Sequence, residues 1–287
     1  IQGISIDDRT IKKGDLFIAF IGDKFDGHNF IESALSKGAC GVLVSNIRLA
    51  KKYNGLFVND TKKALIQIGK FARDRFNGIT IGITGSSGKT STNYLLSNAL
   101  KKFGKTHNTH GNNNNIIGLS LTLSRLPSNY DFCILELGMN NAGEIKKLTK
   151  IAKPHVALIT NVSNSHIQNF KSEKEIARAK SEIFLGLEKN GIAIINSDNK
   201  WKDFLISEAR KIKAKIHLYG RSKDSNTRII KIIEEKEGST IFYDKLEKWH
   251  LKHLNFVQAE NAIATISVIK ELNLQPEKIT KIISNLR

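Results

Sequence analysis

A short glycine-rich segment carries the clearest chemical pattern in the chain. It consists of Thr84, Gly85, Ser86, Ser87, Gly88, Lys89 and Thr90. Where a strand turns into a helix, backbone N–H groups at the helix start face an anion, a lysine neutralises phosphate oxygens and a hydroxyl can hold Mg²⁺. Lys89 and Thr90 supply that lysine and that hydroxyl. The segment therefore predicts a phosphate-binding loop, with an ordinary glycine-rich turn as the alternative.

The flanking residues predict the strand and the helix that such a loop needs. Ile79, Ile81 and Ile83 alternate with small residues, and Leu96 and Leu100 fall on one face of the following helix. The general form of the motif has its first glycine where this chain has Ile83. The segment is thus a variant of the phosphate-binding loop.

Two ionisable side chains follow predicted buried strands. Glu136 lies near the end of the apolar run Phe132–Leu137, and His166 follows the run Val156–Thr160. Ligands of open α/β sheets bind at the carboxyl ends of strands, where a carboxylate can reach the magnesium of a bound nucleotide. Glu136 is therefore a candidate metal ligand, and a structural ion pair is the alternative. For His166 the alternative is a free loop histidine.

Lys180 lies on the apolar face of a predicted helix. A capping box, Ser172 with Glu175, opens this helix. Its apolar stripe contains Ile176, Ala179, Ile183, Phe184 and Leu187. At about 100° per residue Lys180 falls within this stripe. Either its stem follows apolar surface to water, or Lys180 is desolvated, with a lowered pKa or carbamylated by CO₂.

The stretch from Thr109 to Gly118 is rich in side-chain amides. One interpretation is a plain solvated loop. The other is a binding loop that offers the donors and acceptors of Asn112, Asn114 and Asn115 to a polar substrate.

The order of patterns along the chain predicts an α/β fold with two domains. Residues 1–77 form a small α/β unit, and the turn dipeptide Asn77-Gly78 marks the boundary. From residue 78 to residue 287, apolar strand-length runs alternate with helical patterns, which favours a mostly parallel sheet wrapped by helices.

Composition narrows the class of protein. Lys and Arg outnumber Asp and Glu by 45 to 27, a net charge of +18. Without an arginine-rich stripe, a lysine-rich surface is favoured over nucleic-acid binding, and a small polyphosphate ligand would also suit it. No apolar run approaches a membrane span. Cys40 and Cys133 lie in apolar runs, so we expect both to be reduced and buried, as in a cytoplasmic protein.

Several strings together resemble one enzyme family. After the phosphate loop T-G-S-S-G-K-T come T-H-G-N-N-N-N-I-I-G, E-L-G-M-N-N-A-G-E-I, T-N-V-S-N-S-H and A-K-S-E-I-F. In this order and spacing they resemble the ATP-dependent Mur ligases of peptidoglycan synthesis, most closely the D-alanyl-D-alanine-adding branch. The early strings S-I-D-D-R-T and K-F-D-G-H-N-F-I resemble the UDP-binding domain of that family.

The resemblance implies an ATP-dependent amide ligase that adds D-Ala-D-Ala to UDP-MurNAc-tripeptide through an acyl phosphate. The sequence does not determine the oligomeric state, for which we expect a monomer. The resemblance also implies that the phosphate loop binds ATP, that Asn261 contacts adenine, and that Lys89, Lys180 and His166 are catalytic. It further implies a magnesium ion on Thr90 and Glu136, and a second on His166 and carbamylated Lys180. The implied UDP site contains Ile6, Asp8, Asp23, Lys24 and Phe25.

Three departures from the family pattern bear on these expectations. An aspartate, Asp8, stands where the family often has serine, and of the adenine motif only Asn261 carries over. The third, C-terminal domain of the family has no counterpart in these 287 residues. The alternatives are another ligase of the superfamily, such as the diamino-acid-adding enzyme or folylpolyglutamate synthetase, and a non-catalytic nucleotide-binding module. A GTPase lacks support because N-K-x-D is absent from the sequence.

Overall fold

The computed structural model describes residues 1–22, 25–164, 167–235, 238–244, 247–252 and 256–279. These residues fall into two compact units. The first unit contains Ile1–Phe76 and Ile116–Pro127, and the second contains Asn77–Asn115 and Ser128–Arg287.

The strands and helices alternate along most of the chain. The first group is β1 (Gly3–Ser5), β2 (Asp15–Ile18), α1 (Ile31–Ser36), β3 (Gly41–Val44), α2 (Ile47–Lys52), β4 (Leu56–Phe57) and α3 (Thr61–Asp74). The second group is β5 (Ile79–Thr84), α4 (Lys89–Leu100), β6 (Thr106–Asn108), α5 (Ile116–Ser124), β7 (Phe132–Glu136), α6 (Glu144–Ala152), β8 (Val156–Ile159) and α7 (Glu173–Ser181). The last group is β9 (Ile192–Asn196), α8 (Lys202–Lys211), β10 (Lys215–Gly220), β11 (Thr227–Glu235), β12 (Gly238–Tyr243), β13 (Glu247–Lys252) and α9 (Phe256–Glu271).

The first unit is built on a parallel sheet in the order β1-β2-β3-β4. Its central strand β2 is buried throughout, because side chains that alternate between the two faces meet a separate apolar cluster on each. One cluster contains Phe17, Ala19, Ile31, Ala34, Val42, Val44 and Ala50. The other contains Ile4, Leu16, Ile18, Leu43, Leu65 and Leu121.

Helix α5 belongs to the first unit. The boundary predicted after residue 77 therefore does not by itself separate the two units. Leu121 joins the cluster around Leu65, and a Cβ at Gly69 of α3 would lie 2.9 Å from Ser120 O, so α3 and α5 pack closely. Arg125 Nε donates a hydrogen bond to Ile4 O over 2.6 Å. The local sequence pattern does not indicate that α5 packs against the sheet of the first unit.

The second unit contains a nine-stranded sheet in the order β13-β12-β11-β10-β9-β8-β5-β7-β6. All neighbouring strands from β6 through β7, β5, β8, β9 and β10 to β11 pair in parallel. Strands β11, β12 and β13 pair antiparallel. This confirms the predicted α/β class and the mostly parallel sheet. Strand β5 lies between β7 and β8, so its carboxyl end is flanked by the ends of both neighbours. Loops that carry functional side chains meet at this edge.

Some local predictions were wrong. Cys133 is buried, as expected, but Cys40 is exposed, because it lies just before β3, where its Sγ donates to Gly14 O. The helix that carries Lys180 ends at Ser181 and continues as a 3-10 helix, Glu182–Gly186. Another 3-10 helix spans Pro276–Ile279. Among the described helices, none has both the length and the apolarity to cross a membrane.

Candidate active site at the carboxyl edge of the large sheet

The phosphate loop connects β5 to α4 as the sequence predicts. Gly88 is the N-cap of α4, with a left-handed φ of 79° and no side chain to cap the helix. The first N–H groups of the helix are therefore left for a ligand. Gly85 must also be glycine, but for a steric reason: a Cβ there would collide with Thr160 Oγ1. Ile83 is fully buried in the strand, which explains why an apolar residue is accommodated there.

The loop that follows β8 holds the phosphate loop in shape. Ser86 N donates to Asn161 O over 3.0 Å, and Ser87 N donates to Asn161 Oδ1 over 2.9 Å. Thr160 Oγ1 donates to Ser87 O over 2.6 Å. These contacts fix the loop backbone before any ligand binds, which reduces the entropy lost on binding.

Glu136 lies at the end of β7 beside the start of α4. It is only 1% exposed, and it accepts hydrogen bonds from Thr90 Oγ1 (2.9 Å) and Asn114 Nδ2 (3.0 Å). Its hydrogen-bond donors are thus a hydroxyl and an amide rather than the cation that a structural ion pair would supply. Lys89 is close enough for Glu136 to raise its pKa, although burial of Lys89 lowers that pKa by more.

The Thr90 and Glu136 oxygens fit the ligand spacing of magnesium. Mg²⁺ prefers six oxygens in octahedral geometry at about 2.0–2.1 Å, so neighbouring ligand oxygens are about 2.9 Å apart. Thr90 Oγ1 and Glu136 Oε2 are separated by 2.9 Å. The two residues can therefore occupy adjacent positions around one ion.

Lys180 is buried in the last turn of α7, with 1% of its surface exposed. Burial, reinforced by the nearby charge of Lys89, lowers the pKa of Lys180 to about 7. Among the described residues no carboxylate offsets this desolvation. The side chain therefore does not extend to water along apolar surface, and a substantial part of the population is a neutral amine near pH 7.

Lys89 and Lys180 face the same cavity of about 170 Å³. Its lining consists of Gly85, Lys89, Asn114, Asn115, Gly138, Met139, Asn140, Glu144 and Lys180. A half-buried lysine and a buried lysine beside several amides suit an anion such as a phosphoryl group or a carboxylate. Asn112, which we grouped with Asn114 and Asn115, is exposed and does not line this cavity.

The segment from the end of β7 to the first residue of α6 supplies cavity residues for which the sequence predicts no role. They are Gly138, Met139, Asn140 and Glu144. Gly138 N donates to Asn114 O, which joins this loop to the amide-rich loop. Glu144 accepts from Asn140 N over 2.8 Å and from Asn141 Nδ2 over 3.1 Å. Their position just after a buried parallel strand was a signal for them, as it was for Glu136.

Two regions of the chain match known protein families. Residues 83–269 match the family described as the Mur ligase middle domain. This chain belongs to the Mur ligase family. Residues 1–72 also match a second region, described as the Mur ligase family, catalytic domain.

The similar proteins include one sequence relative and two solved structures. A UDP-N-acetylmuramoyl-tripeptide–D-alanyl-D-alanine ligase of Buchnera aphidicola subsp. Baizongia pistaciae is 39% identical over 98% of this chain and 62% of its own length. MurF from Acinetobacter baumannii has a TM-score of 0.87 at 28% identity, over 99% of this chain and 62% of that one. MurF from Thermotoga maritima in complex with ADP has a TM-score of 0.82 at 26% identity, over 100% of this chain and 66% of that one. The chain thus spans about two thirds or less of these Mur ligases.

The remaining predicted nucleotide contact, Asn261, lies under the phosphate loop. It is buried in α9, its Oδ1 accepts a hydrogen bond from Thr92 Oγ1 over 3.2 Å, and a Cβ at Gly88 would lie 2.5 Å from that oxygen. Its contact with adenine stays a prediction. Thr84 is fully buried at the end of β5. His166 lies outside the described residues.

The first unit holds a separate cavity of about 490 Å³. Its lining consists of Ile6, Asp7, Asp8, Arg9, Phe17, Phe25, Gly27 and Phe30. Three residues of the predicted UDP site, Ile6, Asp8 and Phe25, therefore come together, whereas Asp23 and Lys24 lie outside the described residues. Hydrogen bonds from Ser33 and then Lys37 hold the pKa of the Asp8 carboxyl below its usual value.

Proposed function

We propose that this chain is the substrate-binding and ATP-binding part of a Mur ligase that joins D-Ala-D-Ala to UDP-MurNAc-tripeptide. The observation that carries the proposal is the shared cavity of Lys89 and Lys180 beside the phosphate loop. The named relatives add D-alanyl-D-alanine, which favours this branch over the diamino-acid-adding and folate-related ligases.

The proposed reaction begins with phosphoryl transfer. A terminal carboxylate oxygen of the tripeptide attacks the γ-phosphorus of ATP, the bond to the β-phosphate oxygen breaks, and ADP leaves. The cavity has room for the small reacting groups, and Lys89 offsets the charge on the phosphoryl oxygens. Thr90 and Glu136 would hold a magnesium ion, which supplies further charge neutralisation at the phosphates.

The second step forms the amide. The neutral amine of D-Ala-D-Ala attacks the acyl carbon, the tetrahedral adduct expels inorganic phosphate, and the nitrogen loses its proton. Asn114, Asn115 and Asn140 line the cavity and offer neutral donors and acceptors that orient a polar substrate.

Lys180 suits carbamylation in this site. The neutral Nζ attacks CO₂, an N–C bond forms, and one proton is released, so that the neutral amine becomes a carbamate anion. The buried amine with a pKa near 7 is the form that can react. Its oxygens, with His166, would hold the second magnesium that the family resemblance implies.

The first unit would bind the UDP moiety in its larger cavity. Aromatic side chains there can stack on a nucleobase, and Arg9 brings a cation to the rim. The carboxylate of Asp8, however, faces a site for which we propose a diphosphate. The hydrogen bonds that it accepts from Ser33 Oγ (2.7 Å) and Lys37 Nζ (2.9 Å) reduce the repulsion that this acid would otherwise cause.

A ligation assay tests the proposal. The intact protein is incubated with ATP, Mg²⁺, UDP-MurNAc-tripeptide and D-Ala-D-Ala, and mass spectrometry and phosphate release are followed. We expect pentapeptide product and phosphate in equal amounts. ATP hydrolysis without product in the presence of all substrates would contradict the proposal.

A further inference from the structure

The carboxylate of Glu182 caps a helix that is distant from it in sequence. Glu182 follows α7 directly, and its two oxygens accept hydrogen bonds from Gly143 N and Lys146 N, each over 2.9 Å. Both N–H groups belong to the start of α6. The contact therefore joins the end of the helix that carries Lys180 to the beginning of α6.

Helix α6 needs a cap from outside its own sequence. Its N-cap is Gly143, which has a left-handed φ of 82° and makes no side-chain hydrogen bond to the helix. Two of the four N–H groups that every helix leaves unpaired at its start are satisfied by Glu182 instead. A carboxylate is also favoured there by the positive end of the helix dipole.

A second contact fixes the 3-10 helix Glu182–Gly186 against α6. Thr149 Oγ1 donates to Ile183 O over 2.7 Å. A Cβ at Gly186 would collide with Thr149 O, so the two backbones approach as closely as glycine allows. The two segments thus pack in one register, with Glu182 at the cavity end and Gly186 at the far end.

The capped turn forms one wall of the cavity between Lys89 and Lys180. Asn140 and Glu144 line that cavity, and Glu144 is the first residue of α6. Glu182 is two residues from Lys180 and does not line the cavity itself. It therefore connects the Lys180 wall to the Asn140–Glu144 wall without contact with a ligand.

We propose that Glu182 is a positioning residue for ligation. It holds the turn 138–144 at the distance from Lys180 that the reacting groups require, and this role rests on the proposed function of the cavity. Among the described residues no hydrogen bond joins the phosphate loop to Glu182, so we expect nucleotide binding to be independent of it.

Three variants of the intact protein separate positioning from general stability. Glu182→Ala removes both acceptors. Glu182→Gln keeps the shape and one acceptor oxygen but turns an NH₂ group toward a backbone N–H. Thr149→Val breaks the α6 contact at the far end from the cavity and serves as the matched control. For each variant, kcat, KM for the tripeptide substrate, the Kd of ADP with Mg²⁺, and Tm are measured.

We expect Glu182→Ala to lower kcat at least about tenfold, since small misplacements of reacting groups are costly. The kcat of Glu182→Gln should lie between that of Glu182→Ala and that of wild type. The Kd of ADP should stay within about threefold of wild type in both, and Thr149→Val should keep kcat within about threefold although its Tm falls.

Two results would overturn the inference. One is kcat within about threefold of wild type in Glu182→Ala or, if that variant does not fold, in Glu182→Gln. The other is an equal loss of kcat in Thr149→Val at equal loss of Tm, which would show that Glu182 acts through stability alone. A wild-type protein that makes no amide product would instead refute the proposed function, so the two failures are distinguishable.

Discussion

Lys89 and Lys180 face one small cavity from two different elements, and the charge of Lys89 adds to burial in lowering the pKa of Lys180. Two lysines at close range in a buried site repel each other unless an anion joins them or one lysine is neutral. This relationship is the physical reason why we propose that an anion binds in the cavity beside the phosphate loop.

Lys89→Ala should weaken nucleotide binding strongly while the protein stays folded. Lys89 is the cation at the phosphate loop, and its removal leaves part of the charge of the phosphates without compensation. Isothermal titration with ATP and Mg²⁺ should show at least a tenfold weaker Kd, roughly the loss of one charge-assisted contact. Lys102→Ala, at an exposed lysine just beyond α4, is the control and should bind as wild type does. Equal affinity in the two variants would refute this role for Lys89.

Glu136→Gln should remove the magnesium dependence of nucleotide binding. The variant keeps the shape of the side chain but loses the negative oxygen that lies 2.9 Å from Thr90 Oγ1. Titrations with ADP are compared in Mg²⁺ and in EDTA. Wild type should bind more tightly with Mg²⁺, and the variant should bind equally in both. A magnesium effect that survives in Glu136→Gln would place the ion elsewhere.

Lys180→Met should stabilise the protein in CO₂-free buffer, and more so at low pH. The folded state lowers the pKa of Lys180 from 10.5 to about 7. Between these values the unfolded chain binds more protons, so wild-type stability rises with pH across this window and the full penalty applies below about pH 7. In urea unfolding, the free energy of unfolding of Lys180→Met should exceed that of wild type by roughly 2–4 kcal/mol at pH 6, and this difference should close toward pH 10.

A gap that does not change with pH would show that Lys180 is not desolvated as a cation. Bicarbonate added in the same measurement should stabilise wild type but not Lys180→Met, since methionine has no amine that can form a carbamate. Labelled bicarbonate should then give a carbamate signal in the ¹³C spectrum of the wild type alone.

Phe25→Ala should weaken UDP binding. Phe25 lines the larger cavity of the first unit although 59% of its surface is exposed, an arrangement that suits stacking on a base. Loss of one stacked base costs about 1–3 kcal/mol, so titration with UDP should show a Kd weaker by roughly fivefold or more. Phe71→Ala is the matched control, because Phe71 is 72% exposed and outside the cavity. Equal effects in the two variants would contradict a base-binding role.

Local patterns were sufficient for the parts of the site that one element builds by itself. The phosphate loop is a contiguous strand, turn and helix start, and its glycines are visible in the sequence. The position of Lys180 in an apolar stripe was enough to raise its burial as an alternative, because helical periodicity determines which face a residue occupies.

Contacts between distant segments were not predictable in the same way. The sequence shows that Gly85 is small, but not that Thr160 leaves no space for a Cβ there. It shows an apolar run at α5, but not that Leu121 packs on the first sheet. The glutamate that caps α6 stands 39 positions after Gly143. Each of these depends on which surfaces meet, and periodicity does not specify a partner.

The acceptor preference of the intact protein tests the central claim most directly. The protein is supplied with ATP, Mg²⁺ and UDP-MurNAc-tripeptide, and in separate reactions with D-Ala-D-Ala, a diamino acid or glutamate. The account predicts that D-Ala-D-Ala alone gives a new amide by mass spectrometry, with one phosphate released for each product. Product with a different acceptor, or none with D-Ala-D-Ala from protein that binds ATP and UDP, would contradict it.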